Sequence, residues 1–168
     1  FPDNAESPHI SPEEKEWIVE GSRLEDTPPR WIHHFYDPTT GQGWSGEEAG
    51  RVSRETARAF SSAVLSSGGP LSAVEWAMND LTQHAYSPYG GNRSWKNGLK
   101  QYAQGDREEA YRTLGHILHL LEDMSVPDHT RNDTHAHVFG AITGDPGSPY
   151  ENYASRWRQD NIGELKLP

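Results

Sequence analysis

The run from Asp106 to His129 constrains this chain more than any other stretch. Asp106 stands where a helix N-cap would, Glu108 and Glu109 follow in the first turn, and Ile117, Leu118, Leu121 and Met124 supply apolar positions at helical spacing. The pattern predicts a long helix running to about Met124, with Pro127 breaking it, since proline lacks the backbone N–H and crowds the preceding turn. The same helix carries His116, His119 and Asp123, with His129 just beyond the break. At about 100° per residue, His116 and Asp123 lie about 20° apart and His119 and Asp123 about 40° apart, so all three project from one side. A bend at Pro127 can return His129 toward the same place. The array offers imidazoles and a carboxylate to a metal ion, but an i, i+4 His–Asp pair also makes a plain hydrogen-bonded contact. Spacing alone leaves both readings open.

The rest of the chain is punctuated for helices. Ser11 as N-cap, Pro12 at the first helical position and Glu13 and Glu14 after it open a helix that Trp17, Ile18, Val19 and Leu24 carry to about Leu24. Residues 25 to 46 are rich in Pro, Gly and Asp and read as a long loop with aromatic anchors; loops of that length are usually functional or disordered, and the aromatics argue against disorder. Further helices are expected from about Gly46 to Ser66, from near Pro70 to His84, over "WKNGLKQYAQ" up to Gly105, and from Tyr150 to Arg158. No alternating strand pattern stands out, so the expected fold class is all-α, in one domain over residues 1–168.

The chemistry available to such a chain is bounded by composition. There is no cysteine, which excludes disulfides and thiolate zinc sites, so a metal here has only nitrogen and oxygen ligands. Nine histidines and 25 acidic residues can supply them. A net charge of −10 argues against a general electrostatic hold on nucleic acid, and no stretch approaches the roughly 20 apolar residues of a membrane helix.

Other histidines and acids cluster in loops. "LEDTPPRWIHHFYDP" places Glu25 and Asp26 eight residues before His33 and His34; "SPHIS" gives His9; "RNDTHAHVFG" gives Asp133, His135 and His137; "SPYENY" gives Glu151. Taken singly these read as solvated acids, surface histidines and a packed aromatic loop. Together, "LGHILHLLEDMSVPDH" with "HHFYDPTTGQG" before it and "YEN" after it resembles the zinc-dependent phospholipase C family, which is related to the S1/P1 nucleases. The resemblance runs from about His9 to Trp157; Gly115, His119, Asp123, Pro127 and His129 match in order and spacing, and "HFYDP" is a second match.

The resemblance implies an all-α phospholipase C/P1 nuclease-like fold holding two or three zinc ions. Carried over residue by residue, it makes His9, Asp26, His34, His119, Asp123, His129 and Glu151 the metal ligands, with Asp26 also a general base, and gives Phe1, as the N-terminal residue, a further ligand role. The family's histidine four residues before its glutamate is absent, since position 147 is Gly; His135 or His137 would then have to replace it. His116 has no ligand counterpart and is expected to be a supporting or surface residue, and His33 and His84 are expected to be structural. Family members usually continue beyond the glutamate helix, which implies a short or truncated member here.

The implied activity is hydrolysis of a phospholipid phosphodiester, or another phosphate ester, by zinc-activated water, falling off below about pH 6 to 6.5 as imidazoles protonate. The alternatives are an S1/P1-like single-strand nuclease, with nucleic acid as substrate only, and a metal-binding interaction domain without activity. Trp31, Phe35 and Tyr36 are the aromatic candidates near the metals. Family resemblance and the missing initiator Met lead to an expectation of a secreted or periplasmic bacterial protein, although no signal peptide is present.

Overall fold

The computed structural model describes residues 10–27, 29–44, 70–84, 90–131 and 148–161. Among them there are seven α-helices, one 3-10 turn (Arg30–His33) and no strand, so the chain is all-α. The helices are α1 (Pro12–Glu25), α2 (Ala73–Met78), α3 (Asp80–His84), α4 (Trp95–Ala103), α5 (Arg107–Asp123), α6 (Pro127–Thr130) and α7 (Pro149–Asn161). No helix among the described residues is long and apolar enough to cross a membrane. The expected helix over 46–66 lies outside the described residues.

Local chemistry explains most boundaries. Ser11 and Glu14 form a reciprocal cap on α1: the Ser11 hydroxyl accepts from the Glu14 N–H at 3.1 Å, and the Glu14 carboxylate accepts from the Ser11 N–H at 2.8 Å. Ser94 caps α4, which ends at Gly105 in the left-handed region (φ 83°). Two boundaries differ from the sequence expectation. The helix expected from Pro70 to His84 is split into α2 and α3 at Asn79, whose side chain accepts from the Thr82 N–H at 2.9 Å and so starts a new helix instead of continuing the old one. Pro127 does break the long helix, as expected, but it also opens the one-turn α6, because it occupies the first helical position, where its missing N–H costs nothing.

The chain divides into two compact units, one of residues 1–31 and 76–120, the other of residues 32–75 and 121–168. In the first, α1 and α5 pack through an unusual face. The residues α1 buries are Glu14, Gly21 and Glu25, while Val19 is exposed. On α5 the buried positions include Ala110, Thr113, Gly115, His116 and Leu120, and Leu121, expected in the core, is 66% exposed. The reason is close backbone approach. A Cβ on Gly21 would stand 2.0 Å from the Arg112 carbonyl oxygen, and one on Gly115 would stand 2.1 Å from the Ile18 carbonyl oxygen. Large apolar side chains cannot occupy that seam, so short and polar residues fill it.

Around the seam, Arg107 reaches Glu14 (Nε to Oε1 3.1 Å) and lies over the rings of Tyr102 and Tyr111, while Arg112 bonds Glu20 and Glu108. Deeper in the same unit, Glu25, Arg30, Trp76, Gln83 and His116 form a fully buried polar network. His116 is thus a core residue, not a surface one, and Glu25, read as a solvated acid, is its partner at 2.5 Å. In the second unit the core gathers Ile32, Phe35, Trp44 and Ala73, with Phe35 and Trp44 stacked at 5.9 Å.

Gly→Ala in an exposed helix interior stabilises by about 1 kcal/mol. Here the sign reverses: Gly21→Ala or Gly115→Ala is expected to destabilise by about 3 kcal/mol, the upper end of overpacking costs, because backbone and not side chain blocks the new methyl. Urea denaturation of the two variants measures this, and a neutral or stabilising result would contradict the packing described.

Candidate metal centre

In the first unit, α1 ends on Glu25 and Asp26, and α5 lies against it. Asp26 caps the C-terminus of α1 and is exposed; His119 is half-buried one turn after His116. A carboxylate oxygen of Asp26 and a ring nitrogen of His119 lie within 4.8 Å of each other. Ser22, one turn before Asp26, brings its hydroxyl to 3.5 Å from His119 Nδ1, a long contact that aligns the ring. Carboxylates at a helix C-terminus face the negative end of the dipole, which disfavours them unless a cation is near. Glu25 has Arg30 and His116; a cation bound with His119 would do the same for Asp26.

In the second unit, three segments converge. His34 follows the 3-10 turn, Asp123 ends α5 and His129 lies in α6. Their ligand atoms fall within 4.8 Å of one another, and all three side chains are buried. His34 Nδ1 is 2.9 Å and His129 Nδ1 3.3 Å from Asp123 Oδ2. The other ring nitrogen of His129, Nε2, is 3.3 Å from Glu151 Oε1 on α7. The segment positions are fixed by backbone contacts: the Tyr36 N–H donates to the His129 carbonyl at 3.1 Å, and Phe35 stacks on the His129 ring at 5.0 Å and 13°. Ser148 caps α7 through the Glu151 N–H at 3.0 Å and donates to Asp128 on α6. Phe35 is only 4% exposed, so it orients His129 and is not presented to a substrate.

These separations suit a metal. Around a tetrahedral ion with bonds of about 2.0–2.1 Å, ligand atoms lie roughly 3.3 Å apart. His129 Nε2 is 3.3 Å from Glu151 Oε1, while Asp123 Oδ2 meets the opposite ring nitrogen, Nδ1, also at 3.3 Å. One imidazole cannot give both nitrogens to one ion. His129 Nδ1 also faces the His34 carbonyl at 3.0 Å, a contact that, with the proton on Nδ1, leaves the Nε2 lone pair toward Glu151. The donor set of neutral imidazoles and carboxylates is one that zinc accepts.

Without an ion the same groups behave as a charge cluster. Burial disfavours the Asp123 carboxylate, yet hydrogen bonds from His129 and His34 and their attraction hold it well below the usual carboxylate range. Burial likewise disfavours charged His129, but its hydrogen bonds to Asp123 and Glu151 outweigh that and raise it to about 10. His116 moves the other way: burial pushes it below its ordinary value, against the pull of Glu25.

Of the residues expected as ligands, His34, Asp123, His129 and Glu151 are brought together in the second unit, and Asp26 and His119 in the first. His9, Phe1, His135 and His137 lie outside the described residues, as does Gly147. His33 is buried and structural, its Nδ1 accepting from the Leu71 N–H at 2.8 Å, and His84 is exposed at the end of α3. The sequence reading missed Glu25. The available signal was register: Thr113, His116 and Leu120 follow i, i+3, i+7, a buried face that makes His116 a core residue in need of a partner.

Comparison with protein-family models, with curated proteins and with solved structures finds no match for the chain.

Proposed function

We propose that this chain is a zinc-dependent phosphoesterase of the phospholipase C type, with the corresponding all-α phospholipase C/P1 nuclease-like fold, and that it hydrolyses a phospholipid phosphodiester. The observation that carries the reading is that ligand atoms of the buried His34, Asp123 and His129, drawn from three separate segments, lie within 4.8 Å of one another, with Glu151 3.3 Å from His129 Nε2. These are residues that the sequence resemblance singles out independently of the geometry.

In this reading His34, Asp123, His129 and Glu151 hold metal in the second unit, and Asp26 and His119 contribute a ligand pair from the first. Zinc, when bound, supplies a Lewis acid that lowers the pKa of water toward about 7 and offsets phosphoryl charge. Asp26, exposed at the end of its helix, can accept a proton from the attacking water. Phe35 and the His34 carbonyl keep the His129 ring in one orientation, so the ligands need little rearrangement to bind. A phosphodiester held by metal requires no positive protein surface, which fits a net charge of −10 better than a long polyanion does.

Assays on phosphatidylcholine, a water-soluble phosphodiester and single-stranded DNA separate the readings. Hydrolysis of phosphatidylcholine is expected, abolished by a chelator, restored by zinc and lowered by about 100-fold or more in Asp123→Asn and His129→Ala, since loss of a ligand removes several kcal/mol of charge stabilisation. Turnover of DNA alone would replace this reading with a nuclease. Zinc binding without activity on any substrate would leave an interaction domain.

The charge cluster also sets a pH dependence. With a folded value of about 10 against about 6.5 unfolded, protonated His129 stabilises the metal-free protein fully below about pH 6.5, and that contribution is lost as pH rises through about 10. Asp123 contributes fully above its unfolded value of about 3.9, and that contribution is lost as pH falls from there through its lower folded value. Zinc must displace the His129 proton, so zinc affinity is expected to rise with pH from 6 to 9, with about one proton released per ion bound there. Calorimetry in buffers of different ionisation enthalpy counts that proton; zinc binding without proton release would contradict the assignment.

A further inference from the structure

Within the first unit, one buried carboxylate joins three segments. Glu25 Oε2 is 2.7 Å from Arg30 Nε and 2.5 Å from His116 Nδ1, and Glu25 Oε1 accepts from Trp76 Nε1 at 2.7 Å. All four side chains are 1% exposed or less. Arg30 continues outward to Gln83 Oε1 at 3.0 Å and the Gly91 carbonyl at 3.1 Å, with its guanidinium 5.0 Å from the centre of the Trp76 ring. The Gln83 amide in turn donates to the Trp76 carbonyl at 2.7 Å.

A buried carboxylate at the negative end of a helix is an expensive way to fill a core position that a leucine could occupy. What it provides is geometry. Each hydrogen bond has a fixed direction, and together they leave the last turn of α1 one position against α5. Asp26 is the residue after Glu25, and His119 is one turn after His116. The two members of the ligand pair are therefore each next to a clamped residue, while Asp26 itself is exposed and would otherwise share the fraying of a helix terminus.

We propose that Glu25 is a positioning residue: by bonding His116, Arg30 and Trp76 at once it fixes the end of α1 against α5 and sets the separation of Asp26 and His119 for a metal ion. The inference rests on the reading of that pair as zinc ligands. Without Glu25, zinc must order the pair as it binds, and the cost appears as weaker affinity.

The test uses the full chain, with zinc as the probe and a chromophoric chelator as competitor. Cobalt substitution reports ligand geometry through its absorption spectrum, and urea denaturation reports stability without metal. The zinc equivalent of the pair is the one lost in His119→Ala; that of the second unit is the one lost in Asp123→Asn. Glu25→Gln keeps the size of the side chain and an oxygen acceptor, so it is the variant expected to fold; Glu25→Ala extends the series if it also folds. Glu25→Gln is expected to weaken the His119-dependent equivalent by about 10–100-fold and to alter its cobalt spectrum, leaving the Asp123-dependent one unchanged. Gly98→Ala, which crowds the Thr113 methyl at 2.8 Å elsewhere in the same unit, is expected to lower stability and leave both equivalents intact. Unchanged zinc affinity in Glu25→Gln would overturn the positioning role and leave the zinc reading standing. A loss in Gly98→Ala as large as that in Glu25→Gln would also overturn it, since the effect would then follow stability alone. A wild-type protein with no zinc equivalent dependent on His119 would overturn both.

Discussion

The contact on which the first unit depends is the meeting of two helix backbones at Gly21 and Gly115. Each glycine leaves room for a carbonyl of the other helix where a Cβ would stand about 2 Å away. That approach excludes bulky apolar residues from the seam and makes its neighbours polar. Glu25 and His116 are those neighbours, and their 2.5 Å contact lies within the same packed unit as the Trp76, Arg30 and Gln83 bonds. The position of Asp26 and His119 follows from it. Helix packing and the placement of these two side chains are one constraint here, expressed at successive turns of α1 and α5.

The second unit depends on a different balance. Three buried titratable groups, His34, Asp123 and His129, would be unfavourable apart, because burial penalises each charged form. Together they neutralise one another: the imidazoles depress the Asp123 carboxyl, and Asp123 with Glu151 raises His129 to about 10. This arrangement has the same donor atoms as a metal site, and a divalent cation can replace the proton that His129 holds. Pre-arranged donors, closed in by Phe35 and by the backbone of residues 34–36, would make such an exchange cheap in conformational terms.

Sequence made some of this legible and hid the rest for physical reasons. Caps and stops marked α1, α4 and α5 well, since Ser11, Gly105 and Asp106 act through local geometry that depends on a few residues. Asn79 escaped notice because its side chain competes with the helix only once the neighbouring turn is in place. The apolar residues of α5 gave the correct element and the wrong face: Leu121 is exposed, while Thr113 and His116 are buried, because the glycine seam overrides the hydrophobic stripe. His34, Asp123, His129 and Glu151 were legible through spacing and resemblance; the first three lie within 4.8 Å of one another, and Glu151 meets His129. The role of Glu25 was not, because its partners Trp76 and His116 are 51 and 91 residues away in the chain.

The proposed function requires that these histidines and carboxylates hold zinc. The most direct measurement is anomalous diffraction at the zinc edge from crystals of the zinc-loaded protein. The expected map has a peak bonded to ligands drawn from His34, Asp123, His129 and Glu151, and a second density at Asp26 and His119. A map from zinc-saturated crystals with no anomalous peak at His129, the His129–Asp123 and His129–Glu151 contacts remaining as hydrogen bonds, would contradict it.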